Sequence, residues 1–188
     1  MPTDPTEGLT GASPAELARL TNRLGFAWWN TGLTPPIDGA VNADTRELAG
    51  QVVRSLVQDC GIDCLGLGEV STDDLTYFRD QCTIPNLDIY DGTDESGRAR
   101  FDTGLLYNKL RLSAVDHFTH FSGYGTRTLK VANRVTFTLP NSTTPLHVFI
   151  SHWPSRLQSD QGQAFRADAS IQLRIALESI SVADQNCR

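Results

Sequence analysis

The chain has 188 residues, of which 39% are hydrophobic, and a formal net charge of −6. This length and composition allow one compact domain with a substantial core and exclude a disordered chain. No apolar run approaches the roughly 18 residues of a membrane span, and the N-terminal residues lack the pattern of a signal peptide. We therefore expect no membrane span and favour a cytoplasmic location. Without an export signal, the cysteines are expected to be reduced thiols: Cys60, Cys64, Cys82 and Cys187.

Charge is distributed unevenly along the sequence. Residues 1–97 contain 5 basic and 16 acidic side chains, whereas residues 98–134 contain 7 basic and 2 acidic ones. An acidic first half favours attraction of a cation, and a basic middle favours an anionic partner such as a phosphodiester backbone. Two solvated faces of an ordinary acidic protein would give the same pattern.

The first elements predict a βαβ unit. Ser13 to Glu16 has the form of a capping box, which predicts a short helix to about Arg23 within an N-terminal extension over residues 1–23. A buried strand is predicted at 25–30, and a second strand ends at Glu69. Between them, Asp44 opens a helix with one apolar face formed by Leu48, Val52, Val53 and Leu56. The two strands are expected to be parallel.

Downstream of Glu69, strands dominate. A short helix is predicted at 72–80, followed by strands at 87–90, 101–107, 110–121, 126–139 and 146–152. Because little helix separates these strands, we expect antiparallel meanders packed beside the parallel unit. An amphipathic helix is predicted at 163–182, so the main domain covers 24–182 and residues 183–188 form a tail.

Two oxygen-bearing side chains end the strands of the βαβ unit. Asn30 would deliver an amide oxygen and Glu69 a carboxylate to the same sheet edge, and such a sparse oxygen site is typical of Mg²⁺ that also binds water and substrate phosphate. Each residue alone also has an ordinary structural interpretation. Asn30 could simply open a turn, Glu69 could be a solvated carboxylate, and His152 could be a hydrogen-bonded core histidine.

Four segments together resemble one family. They are FAWWNTGL at 26–33, LGLGEV at 65–70, DTGLLY at 102–107 and ISHWPSR at 150–156. Their order and spacing are similar to those of the endonuclease/exonuclease/phosphatase superfamily, the group that includes DNase I-like nucleases. The resemblance covers residues 24 to 182. It implies an α/β (α+β) fold with four layers, an α-β-β-α sandwich of mixed sheets.

The resemblance also implies functional residues. Asn30 and Glu69 correspond to the ligands of a divalent cation, Mg²⁺ or Mn²⁺, and His152 to the histidine beside the scissile phosphate. Three weaker candidates follow: Arg156 and Arg134 for substrate phosphate, and Asp102 as a carboxylate that orients His152. Arg156 and Asp102 could equally be a surface charge and a turn residue.

The family pattern has two further motifs that this sequence lacks, a strand ending in Gly-Asp-x-Asn and a later Asp-His pair. Asp184 and Asn186 have the first spacing but follow a helix, so we interpret them as a frayed terminus. We therefore expect these 188 residues to be the first part of a longer enzyme and to be weakly active or inactive alone.

Three functions remain open on the sequence. The first is a divalent-metal-dependent phosphoesterase that hydrolyses phosphodiester bonds, most simply a nuclease acting on DNA. The second is a phosphatase or lipid phosphodiesterase of the same fold, acting on a phosphomonoester, an inositol phosphate or a sphingomyelin-like head group. The third is a non-catalytic domain. Nothing in the sequence sets the oligomeric state.

Overall fold

The structure is a computed structural model that describes residues 23–33, 43–93, 103–124, 127–140, 142–153 and 159–186. The short helix predicted from Ser13 to about Arg23 lies, up to residue 22, outside the described residues. The same is true of the candidate site residues Asp102 and Arg156 and of Cys187.

In the described part of the chain, the first sheet has four strands in the order β1-β2-β4-β3. The strands are β1 (Phe26–Asn30), β2 (Cys64–Gly68), β3 (Leu87–Asp91) and β4 (Thr103–Asn108). Helix α1 (Ala43–Arg54), which continues as a π-helical turn at Ser55–Asp59, connects β1 to β2, and α2 (Thr72–Gln81) connects β2 to β3. Strands β1 and β2 are parallel, as predicted, and the other pairs are antiparallel.

The second sheet has three antiparallel strands among the described residues, in the order β5-β6-β7. They are β5 (Ser113–Tyr124), β6 (Arg127–Thr138) and β7 (Leu146–Ile150). These strands form the antiparallel meander that the sequence predicted, because hairpins rather than crossover helices connect them.

Helix α3 (Ser159–Asn186) follows the second sheet. It begins before and ends after the predicted range, and it includes Asp184 and Asn186, which were expected to lie in a tail. Among the described residues, no helix is long and apolar enough to cross a membrane.

Three apolar clusters separate four layers. The first, between the helices and the first sheet, includes Val53 of α1, Phe78 of α2 and Leu65 of β2. The second lies between the sheets and includes Leu105, Val135, Phe137 and Ile150. The third, between the second sheet and α3, includes Val131, Ala132, Phe165 and Ala169. The predicted α-β-β-α sandwich is confirmed.

Helix α1 buries only part of its predicted apolar face: Val53 is buried and Leu56 packs against the first cluster, as predicted. Leu48 is 60% exposed and Val52 is 37% exposed, whereas Ala49, Gly50 and Val53 are buried. A Cβ added at Gly50 would lie 2.8 Å from Sγ of Cys82 and 3.0 Å from Cε1 of Tyr77. The close approach of α2 at this glycine turns the contact stripe of α1 toward its small residues.

Candidate active site

Asn30 and Glu69 lie side by side at one edge of the first sheet. Asn30 is the last residue of β1 and pairs in register with Gly68, the last residue of β2, and Glu69 follows directly. The side chains are in contact, with Asn30 Nδ2 donating to Glu69 Oε1 at 3.1 Å. Parallel pairing explains this, since it brings the carboxyl ends of both strands to the same edge.

The backbone of Glu69 has an uncommon conformation, with φ of 56°, in the left-handed region that non-glycine residues rarely adopt. Thr31 holds this turn: its Oγ1 donates to the carbonyls of Gly68 at 3.0 Å and Glu69 at 2.8 Å. The same hydroxyl accepts from the backbone N–H of Leu33 at 3.1 Å. The sequence interpretation gave Thr31 no role, and no spacing or charge signal marks it.

His152 reaches the same place from the second sheet. Its Nε2 lies 3.4 Å from Oε1 of Glu69, and the side chains of His152 and Glu69 are 17% and 31% exposed. Ile150 and His152 both face the first sheet. A Cβ added at Gly66 would contact Ile150, and one added at Gly68 would contact His152. The three residues predicted as the core of the site therefore converge.

Two glycines of β2 make room for an aromatic ring beside this site. A Cβ at Gly66 would lie 2.7 Å from Cε3 of Trp28, and one at Gly68 would lie 2.9 Å from its Cζ2. The indole of Trp28 therefore lies across β2, against the residue that precedes Glu69. It remains 45% exposed, which leaves an aromatic surface open to a ligand.

The donor chemistry of Asn30 and Glu69 fits a hard cation. An amide oxygen and a carboxylate at a partly exposed strand edge are oxygen ligands, the type that Mg²⁺ binds with several waters. Asn30 would have to turn its amide, because the nitrogen faces Glu69 here and Oδ1 accepts from Gly32 N at 3.4 Å. Within the described ranges, no group of three or more His, Cys, Asp and Glu side chains is placed to hold a metal. The described residues at this edge would therefore supply few of the ligands of a metal ion.

Arg134 is not brought to this site. It lies in β6 between Asn133 and Val135, and strand alternation points it away from the inter-sheet cluster that contains Val135. Its Nη2 donates to Asp116 Oδ2 at 2.7 Å, and its guanidinium lies 5.8 Å from the ring centroid of Phe118. The role in phosphate binding suggested for Arg134, like those of Asp102 and Arg156, remains a prediction.

A buried lysine lies on the inner side of β6. Lys130 is 8% exposed, and its Nζ donates to the carbonyl of Gly92 at 2.7 Å. Asn133, fully buried, donates to the same carbonyl at 3.2 Å and to Thr103 Oγ1 at 3.0 Å. Since Thr103 pairs with Gly68, this polar group joins the two sheets at the end that carries Glu69. The sequence interpretation missed it because a lysine in a strand is usually solvated.

Among the described residues of the basic stretch, Arg111 and Arg134 lie in different places and do not form one surface. Arg111 pairs with the buried Asp63 at 2.8 Å, next to a cavity of about 480 Å³. Asp63 directly precedes β2, so this cavity lies at the opposite end of the strand from Glu69 and contains none of the predicted site residues. With Arg134 also paired to an acid, charge distribution gives little separate support for a polyanionic substrate.

Comparison with known proteins gives structural matches only. No family profile and no curated protein matches the sequence. An endonuclease/exonuclease/phosphatase family protein from Bacteroides thetaiotaomicron superposes with a TM-score of 0.63 at 14% identity, over 84% of this chain and 58% of its own. A mannosyl-6-phosphatase from the same organism gives 0.60 at 12% identity, over 84% and 60%. TDP2 of D. rerio, complexed with a single-strand DNA product, gives 0.57 at 19% identity, over 84% and 54%.

The chain thus spans less than two thirds of the length of these structures. At such low identity the likeness concerns the fold. The chain therefore shares its fold with these proteins, among them an endonuclease/exonuclease/phosphatase family protein, which is the DNase I-like fold that the sequence motifs predicted.

Proposed function

We propose that this chain carries the site of a divalent-metal-dependent phosphoesterase. Asn30 and Glu69 would hold Mg²⁺ or Mn²⁺, and His152 would face the scissile phosphate. The observation that supports this most directly is the convergence of three residues from two sheets, with Oε1 of Glu69 lying 3.1 Å from Asn30 Nδ2 and 3.4 Å from His152 Nε2.

The roles of the residues follow from their chemistry. The cation, when bound, supplies positive charge that polarises a phosphoryl oxygen. Glu69 faces His152 and orients its imidazole, and Asn30 would turn its amide so that Oδ1 faces the cation. The imidazole of His152 can donate a hydrogen bond or a proton to the negative charge that develops on the phosphate during attack by water.

For the substrate we favour a phosphodiester in a nucleic acid strand. Trp28 supports this choice, because its half-exposed indole lies against Gly68, beside the site, where a base could stack on it. A phosphomonoester is the alternative. The solved structures that share the fold include both TDP2 with a DNA product and a mannosyl-6-phosphatase.

Metal binding is the first test, since it depends on Asn30 and Glu69 alone. Calorimetric titration with Mg²⁺ and Mn²⁺ would compare the chain with Glu69→Gln and Asn30→Ala, and with the exposed-carboxylate control Glu178→Gln on α3. We expect each site variant to weaken binding at least tenfold and the control to bind like the parent chain. Equal binding by Glu69→Gln would contradict the proposal.

Hydrolysis assays then separate the substrate classes. A labelled single-stranded oligonucleotide, bis(p-nitrophenyl) phosphate and p-nitrophenyl phosphate would be incubated with the chain and Mg²⁺ or Mn²⁺. Cleavage of the diesters, lost in His152→Gln, supports a nuclease. Cleavage of the monoester alone supports the phosphatase alternative. Metal binding without any hydrolysis fits a non-catalytic domain or the first part of a longer enzyme.

A further inference from the structure

Trp153, the residue after His152, follows strand β7 but is hydrogen-bonded to strand β6. Its indole Nε1 donates to the backbone carbonyl of Val131 in β6 at 2.7 Å. The last residue pair between β6 and β7 is Asn133 with Ile150, so the chain carrying His152 has already left the sheet. The indole therefore reconnects this segment to β6 beyond the point where strand pairing ends.

The acceptor of this bond belongs to a β-bulge. In the pairing of β5 with β6, His120 lies opposite Ala132 and Phe121 lies opposite Lys130, so that Val131 is the extra residue. Bulges interrupt the ladder, redirect side chains and are common beside active sites. Val131 is fully buried, and a buried carbonyl needs a hydrogen-bond partner.

Apolar packing on both sides of His152 holds this segment in place. The indole of Trp153 packs against the cluster between the second sheet and α3, which is formed by Val131, Ala132, Phe165 and Ala169. Ile150, on the other side of His152, packs in the cluster between the sheets. The backbone of His152 is thus held at one end by the inter-sheet core and at the other by the indole anchor.

We propose that Trp153 is a positioning residue for His152, and that the bulge at Val131 supplies the acceptor that fixes it. The indole hydrogen bond fixes the distance between the His152 backbone and β6. This distance in turn determines how close the imidazole comes to Glu69. This inference rests on the proposed function only for its effect on turnover. The anchoring itself concerns geometry and is open to measurement in an inactive chain.

The central experiment replaces Trp153→Phe, which keeps an aromatic ring in the cluster and removes the N–H donor. Phe165→Leu is the matched control, because it loosens the same cluster and leaves the anchor in place. Urea denaturation establishes that both variants fold. We expect the Trp153→Phe enzyme to lose about tenfold in kcat with little change in KM or in Mn²⁺ affinity, and Phe165→Leu to keep its kcat.

Two-dimensional NMR of the histidine rings supplies a readout that does not need activity. We expect the His152 signals to broaden or double in Trp153→Phe and to remain single in Phe165→Leu. Unchanged His152 signals in Trp153→Phe would overturn the proposal, as would equal losses of kcat in both variants. A chain that shows the NMR difference but binds Mn²⁺ equally well in Glu69→Gln would retain the anchor while the proposed function fails.

Discussion

The imidazole Nε2 of His152 lies 3.4 Å from Oε1 of Glu69, although the two residues follow strands of different sheets. The contact depends on sheet-on-sheet packing, because β7 passes over the glycines of β2 and leaves His152 above the turn at Glu69. The site is therefore a product of the sandwich, and neither sheet contains it alone.

Glu69→Gly is expected to separate stability from function. With φ of 56°, Glu69 has a backbone conformation that glycine adopts without strain, so the free energy of unfolding should rise by about 1 kcal/mol. Metal binding should be lost with the carboxylate. Urea denaturation and calorimetry measure the two effects. The control Asn86→Gly, at φ of 58°, should gain less, because asparagine tolerates this region.

Gly66→Ala is expected to destabilise the fold through crowding. The new Cβ would lie 2.7 Å from Cε3 of Trp28 and 3.1 Å from Cγ2 of Ile150, so the two sheets must shift, at a cost of about 1–3 kcal/mol. Denaturation monitored by tryptophan fluorescence measures this cost and shows whether Trp28 moves. Gly32→Ala is the comparison variant, because no atom lies within 4 Å of the new Cβ. Any loss in its free energy of unfolding would reflect the φ of 66° at this position, and Trp28 emission should stay unchanged.

The Asp63–Arg111 ion pair is expected to matter more than an exposed pair. Asp63 is 6% exposed and accepts from Arg111, Gly25 N and Asn108 Nδ2, so Arg111→Met leaves a buried carboxylate without its counter-ion. We expect a loss of about 3 kcal/mol in the free energy of unfolding. Arg174→Gln, in an exposed pair with Glu178, should cost much less, because solvent screens the pair. Similar losses in both variants would refute this difference.

Acidification is expected to weaken the fold through His120. Burial between Phe118 and Phe149, and then the charge of Arg134, lower the pKa of this imidazole below its ordinary 6.5. The unfolded chain thus binds the proton more readily than the folded chain. The resulting stability is fully present above about pH 6.5 and is lost as the pH falls from there toward the lowered pKa.

The measurement is urea denaturation at pH 7.5 and 5.5. The difference between the two midpoints should shrink in His120→Leu, which has no titrating group at this position. If the variant shows the same pH dependence as the parent chain, His120 is not its source.

Cysteine reactivity is expected to differ sharply between sites. Burial, with a smaller effect of Asp63, raises the pKa of the Cys64 thiol to about 12, and burial also raises the pKa of Cys82. Cys60 is exposed. In a Cys187→Ser background, a disulfide reagent at pH 8 should modify Cys60 rapidly and the other two only after unfolding in urea. Rapid modification of Cys64 in the folded chain would contradict its burial.

Much of the fold could be predicted from local patterns. The apolar run that became β2 and the helical signals between 44 and 56 predict a βαβ unit, and parallel pairing then brings Asn30 and Glu69 to one edge. Motif spacing added His152. These inferences succeed because periodicity and strand ends are properties of neighbouring residues.

Other features depend on which surfaces meet. The buried face of α1 includes its small residues because α2 approaches Gly50 closely. Arg134 points away from the site because alternate residues of β6 face opposite sides of the sheet. Thr31 at the Glu69 turn, the inward direction of Lys130 and the indole bond to the bulge at Val131 have no signal in local sequence. The sequence determined the elements and the residue types at their ends, whereas packing of the two sheets decided which of those residues became neighbours, because distances across a sandwich depend on contacts between segments far apart in the chain.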